Sequence, residues 1–140
     1  MSMQRQTVLA LIEAYNVWDL EKIMSFHAPE CVSEVLPKSL NIPPMDNTAF
    51  AAYLRDNLIP TLRNFHIKVY DIIEDTVASK VAIWGGSTAE TDVGPYVNEF
   101  LVVFHMAADG GKVVRFREFV DSASFGEFFA RMKGQAATMA

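Results

Sequence analysis

The hydrophobic period of this chain changes once, at mid-chain, and that change restricts the fold more than any other feature. In the first half, apolar side chains recur at helical spacing. Val8, Leu11, Ile12, Tyr15 and Trp18 do so in "TVLALIEAYNVWDLEKIMSFH", and Phe50, Tyr53, Leu54 and Leu58 in "TAFAAYLRDNLIPTL". In the second half they alternate, with Phe65, Ile67 and Val69 opposite His66, Lys68 and Tyr70. Asp19 is the expected N-cap of a second helix over Asp19–Phe26, and Asn47 opens a third. "HAPECVSEVLP" reads as a loop entering a short strand that Pro37 closes, and Pro43 and Pro44 break the chain again. "KVAIWGGSTAET", "NEFLVVFHMAA" and "VVRFREFVDS" are further strands, rich in β-branched and aromatic residues. Asp109-Gly110-Gly111 is a hairpin turn that sets the last two strands antiparallel. A helix over "SFGEFFARMK" follows, and residues from about 134 to 140 read as a loose tail. No repeat or interior linker divides residues 1–140. The expectation is one α+β domain, with helices packed on one face of a four-stranded antiparallel meander.

Composition narrows the functional classes. Apolar residues make up 51% and charged residues 21% of the 140 positions, the profile of a globular protein. The net charge of −5 and the lack of a dense basic run disfavour nucleic acid as a partner. No stretch reaches the roughly 18 uninterrupted apolar residues of a membrane span. "MSMQRQ" leads directly into an amphipathic segment, with no apolar signal core, so a reducing, cytoplasmic location is the default. The single cysteine, Cys31, excludes an internal disulfide and a Cys-cluster zinc site. No histidine pair has ligand spacing with a carboxylate, and "WGGS" lacks the Lys-Ser/Thr of a phosphate loop. Neither a metal nor a cofactor is therefore expected. Ser87, Thr88 and Thr91 lack an evident base, which disfavours a hydrolase.

One strand carries an anomaly. In "VVRFREFVDS", Val114, Phe116, Glu118 and Val120 share a face that is apolar except for Glu118. Pointing into a cavity, that carboxyl would have a raised pKa suited to acid–base work near neutrality; paired with an arginine, it would be a structural clamp. Glu34 interrupts a second apolar set, Val32, Glu34 and Leu36, so two carboxylates facing one cavity could divide acid and base duties. Asp121 either joins the site through a bulge or caps the last helix with Ser122. Of Asn98 and Glu99 one must face inward, and both faces of their strand are apolar, so periodicity leaves the choice open. His27 stands in a loop near the pocket mouth, His66 on a polar face, and His105 mid-strand as a core residue. Trp18, Tyr53, Phe65, Trp84, Phe100, Phe104 and Phe116 supply core or cavity walls.

Helices, a short strand and a curved meander, in that order, resemble the nuclear transport factor 2-like cone. "YNVWDLEKIMSFHAPECV" is similar to the entry helices of SnoaL-like domains. "LPKSLNIPP", "STAETDVGPYVNEF" and "GGKVVRFREFVDS" resemble a fungal branch of that superfamily. Position 27 departs from the pattern, with His27 where members usually carry arginine. The resemblance implies a cofactor-free isomerase or cyclase acting on an apolar, oxygenated polycyclic meroterpenoid or polyketide in secondary metabolism. Proton abstraction beside a carbonyl would be followed by ring opening, closure or rearrangement. Glu118 and Glu34 would form the acid–base pair, and Asn98 and Asp121 would orient them or the substrate oxygens. His27, Tyr96, Glu99, Phe116 and Tyr53 are the candidate substrate contacts. A non-catalytic module binding a small hydrophobic molecule or a protein is the rival reading, with a dehydratase of the same fold behind it. A homodimer through the outer sheet face would cover Trp84 if that residue points outward.

Overall fold

A computed structural model describes the backbone of residues 1–139, and side chains through residue 134. Helix α1 (Met3–Asn16) is capped by Ser2, whose side chain accepts from the Arg5 amide. Its buried stripe includes Val8, Leu11, Ile12 and Tyr15, as the spacing predicts. Trp18 does not continue that stripe. Its backbone turns left-handed at φ 56°, a conformation costing a non-glycine residue on the order of 1–2 kcal/mol. Two contacts hold it there: the indole Nε1 donates to the Leu62 carbonyl at 2.8 Å, and the ring stacks on Phe65 at 4.2 Å. Helix α2 (Leu20–Ser25) follows, with Asp19 as its N-cap accepting from the Lys22 amide. Helix α3 (Asn47–Tyr53) continues into a π-helical turn over Leu54–Leu58.

The strands are β1 (His27–Leu36), β2 (Arg63–Asp75), β3 (Lys80–Glu90), β4 (Tyr96–Met106) and β5 (Val113–Val120). They form one sheet in the order β1-β5-β4-β3-β2. The last four strands make the expected antiparallel meander, and β1 adds to its edge in parallel with β5. The segment from His27, expected as a loop, is already strand. Curvature is built in opposite Gly85, where β2 shifts register between Val69 and Asp71. A Cβ on Gly85 would stand 2.7 Å from the Lys68 carbonyl oxygen, so the close approach of β2 requires glycine here.

The main core lies between the helices and the inner face of the sheet, with Leu11, Ile23, Leu54, Ile83, Phe104 and Val113 at its centre. A second register shift, between His105 and Met106, alters the inner face of β5. Val113 is fully buried and Val114 is the extra residue, so the inward set is Val113, Phe116, Glu118 and Val120. Helix α4 (Ser122–Met139) closes the fold and seats Phe128 against Leu62, Ala89 and Tyr96. It runs through most of the segment read as a tail; Ala140 lies outside the described residues. No helix among the described residues is long and apolar enough to cross a membrane.

Candidate active site

Between the helices and the sheet lies a cavity with an open mouth. Three helices contribute to it: Ile12 and Tyr15 come from α1, Phe50 and Tyr53 from α3, and Phe125 and Phe128 from α4. Its walls are overwhelmingly apolar and aromatic, and among the residues lining it only Glu118 carries a formal charge. Four hydroxyl-bearing residues, Tyr15, Tyr53, Tyr96 and Ser87, supply most of the remaining polarity. This is the usual character of a small-molecule site, an apolar cleft with a few placed polar groups.

Glu118 reaches the cavity because β5 alternates, and Phe116 and Val120 flank it on the same wall. Part of its surface opens onto the empty space, while the surrounding protein strips bulk water from the carboxyl. That desolvation pushes its pKa from the ordinary 4.5 to about 7. No hydrogen bond or ion pair within the described residues holds the group. The nearby phenols register its charge. Burial, then the Glu118 charge, pushes Tyr53 up to about 12 and raises Tyr15 and Tyr96 as well. At neutral pH all three are hydrogen-bond donors. Tyr53, Tyr96 and Phe116 line the cavity as the sequence reading places them. Tyr15 and Ser87 were missed there; Tyr15 is the one residue in the apolar stripe of α1 with a hydroxyl, and that was the signal available.

Glu34 requires correction. On β1 the inward residues are Cys31, Ser33 and Val35, so Glu34 points to the outer face. There it accepts from Arg115 Nε at 2.8 Å and Arg117 Nε at 3.2 Å. Burial would raise its pKa, but the two guanidinium groups more than reverse that and hold it below the usual carboxylate range. Glu34, not Glu118, is thus the carboxylate that arginines clamp. Its side chain and that of Glu118 lie on opposite sides of the sheet, and they share no cavity.

Four other candidates, Asp121, Asn98, Glu99 and His27, do not line the cavity. Asp121 is exposed and caps α4, its Oδ1 accepting from the Ala123 and Ser124 amides at 3.2 and 3.3 Å. Asn98 faces inward and is buried, but its amide is occupied with Asp121: Oδ1 accepts from the Asp121 amide at 3.2 Å, and Nδ2 points at the Asp121 carbonyl at 3.5 Å. It ties β4 to the start of α4 instead of lining the cavity. Glu99 faces outward and accepts from the Trp84 indole at 2.7 Å. His27 is not in a loop at the mouth but buried at the head of β1, stacked on Phe50 at a centroid distance of 5.4 Å. Asn47 Nδ2 donates to the Ala28 carbonyl at 2.8 Å, which leaves Oδ1 to accept from His27 Nδ1 at 3.1 Å. His27 Nε2 is then buried without a partner, and burial lowers the imidazole pKa against the opposing effect of that bond. His105, expected in the core, lies on the outer face beside Arg115, Arg117 and Lys80. Among the described residues no cluster of histidine, cysteine and acidic side chains is arranged to hold a metal.

Helices on a curved mixed sheet, with an apolar cavity between the layers, make the fold shared with nuclear transport factor 2-like and SnoaL-like proteins of known structure. Within it, the chain belongs to the family of core atranone cluster (CAC) protein 11 of Stachybotrys chlorohalonatus. The two are 32% identical over 135 residues, which cover 96% of this chain and 100% of that one. It is also 27% identical over 132 residues to monooxygenase dmxR10 of Cryptosporiopsis, covering 93% of this chain and 87% of that protein. The crystal structure of BvnE pinacolase from Penicillium brevicompactum superposes with a TM-score of 0.91 at 25% identity, covering 96% of each chain. No protein-family model matches the sequence.

Proposed function

We propose that this chain is a cofactor-free isomerase or cyclase that rearranges an apolar, oxygenated polycyclic natural product, with Glu118 as its acid–base group. One observation carries the reading: a single carboxyl with no protein partner among the described residues, set in an otherwise uncharged, apolar and aromatic cavity whose desolvation pushes its pKa up to about 7. A general acid or base works best with a pKa near the operating pH, so Glu118 can donate a proton in one step and recover it in the next. Tyr15, Tyr53 and Tyr96 offer hydroxyls to substrate oxygens, and the ring-lined walls offer an apolar surface to its carbon skeleton. The likeness to a pinacolase and to a member of a biosynthetic cluster supports rearrangement of a secondary metabolite. On the same reading two copies pair through the outer sheet face, covering Trp84, Leu101 and Phe119, which are 48%, 42% and 46% exposed.

Replacing Glu118 by glutamine keeps the shape and removes the titrating group. Turnover of the true substrate should fall at least about a hundredfold, the usual contribution of a positioned acid or base. Turnover like that of the wild type would remove the assignment. The name of the dmxR10 relative favours a second reading, oxygen insertion. Turnover under labelled dioxygen separates the two, since rearrangement leaves the product unlabelled.

A further inference from the structure

We propose that the Glu118 cavity takes up its ligand together with a proton and is closed to anions. The proposal rests on the reading of this cavity as the substrate site, and it concerns binding, before any chemistry. Three observations carry it. Glu118 has no hydrogen-bond or ion-pair partner among the described residues, so no protein group compensates its charge. The residues lining the cavity include no lysine, arginine or histidine. The arginines of the same strand, Arg115 and Arg117, are committed to Glu34 on the opposite face.

The groups that face Glu118 from the surrounding elements are neutral. They are Tyr15 on α1, Tyr53 on α3, Tyr96 on β4 and Ser87 on β3, while α4 and β2 contribute only apolar side chains to the cavity. An apolar ligand entering this space displaces the remaining water from the carboxyl. An ionised carboxylate sealed beneath it would be uncompensated, whereas the protonated acid can donate a hydrogen bond to a ligand carbonyl. Closure therefore favours the protonated form, and a proton enters from solvent with the ligand. A ligand bearing its own carboxylate or phosphate meets a negative group and no cation, so it is rejected. The cavity thereby selects neutral, carbonyl- or hydroxyl-bearing polycycles by charge as well as by shape.

The test uses two probes of nearly equal shape, neutral 2-acetonaphthone and anionic 2-naphthoate. Calorimetric titration of the full chain at pH 7, in two buffers with different ionisation heats, counts the protons exchanged. With the free carboxyl titrating at about 7, binding of 2-acetonaphthone should take up about half a proton. Glu118→Gln should bind the same probe with heats independent of buffer. At pH 8 the wild type should bind 2-naphthoate at least about tenfold more weakly than 2-acetonaphthone, and that gap should narrow in Glu118→Gln. Buffer-independent binding by the wild type, equal affinity for the two probes, or no binding of 2-acetonaphthone by either form would overturn the proposal. Turnover is a separate readout. An inactive Glu118→Gln alongside buffer-independent wild-type binding would sink proton uptake and leave the acid–base reading standing. A fully active Glu118→Gln alongside proton uptake would do the reverse.

Discussion

Glu118, desolvated in the cavity wall, and His27, buried at the head of β1, are titratable residues whose effects on stability run in opposite directions. The folded protein holds the Glu118 proton more tightly than the unfolded chain does, because its pKa rises from the ordinary 4.5 to about 7. That contribution to stability is complete below the ordinary value and is lost as pH rises through about 7. Glutamine, neutral throughout, escapes the loss. Glu118→Gln should therefore be more stable than the wild type at pH 8, by at most about 3 kcal/mol, with the difference shrinking towards zero near pH 4. Denaturant titrations at the two pH values check this, and a wild-type advantage at pH 8 would contradict it. His27 acts on the acid side. Its folded pKa lies below the ordinary 6.5, so the stability it confers is present above that value and is lost as pH falls below it. His27→Phe keeps a ring on Phe50 and removes the titrating nitrogen. In a Glu118→Gln background, this substitution should flatten the fall in stability between pH 7 and pH 5. Glu118 itself was legible in the sequence, as the one charge on an apolar strand face. Glu34 shows the same pattern, and its role was not legible. Its partners Arg115 and Arg117 lie some eighty positions away, and only the parallel pairing of β1 with β5 brings them beside it.

At the scale of elements, the junction of β5 with α4 decides how the cavity is closed. Asp121 caps the helix, and the buried Asn98 holds Asp121 by its backbone. Asp121→Ala should cost about 1 kcal/mol in thermal or urea unfolding, the usual loss of a cap, and leave turnover within a few-fold of wild type. Asn98→Ala should cost more, about 1–3 kcal/mol, because the buried end of the junction loses its partner. A collapse of turnover in Asp121→Ala with unchanged stability would restore that residue to the chemistry. The elements themselves were largely legible: the Asp19 cap, the α3 stripe, the meander and the Asp109-Gly110-Gly111 turn all follow from local pattern. The strand start at His27, the left-handed Trp18 and the bulge at Val114 were not. Each answers a distant partner, such as Phe65 and Leu62 in the case of Trp18.

For the whole molecule, the sheet has one face under the helices and one face open, and the open face carries large apolar groups. Tyr70 and Trp84 pack edge to face there, with Leu101 and Phe119 also exposed. On the reading that two copies pair through this face, sedimentation equilibrium should give the mass of two chains for the wild type. Leu101→Glu should give that of one, and a monomeric wild type would refute the pairing. Local chemistry in the chain was enough to specify most of the helices, strands and turns and the α+β class, because periodicity, caps and glycines act within a few residues. It also singled out Glu118. What it could not specify was which of two apolar faces met the helices. β1 and β4 are apolar on both sides, and a strand's inner face is chosen by the register and pairing of its neighbours. Pairing is a long-range property: it turned Glu34 outward to two arginines, turned Asn98 inward to a backbone, and left Glu118 as the one charge in the cavity.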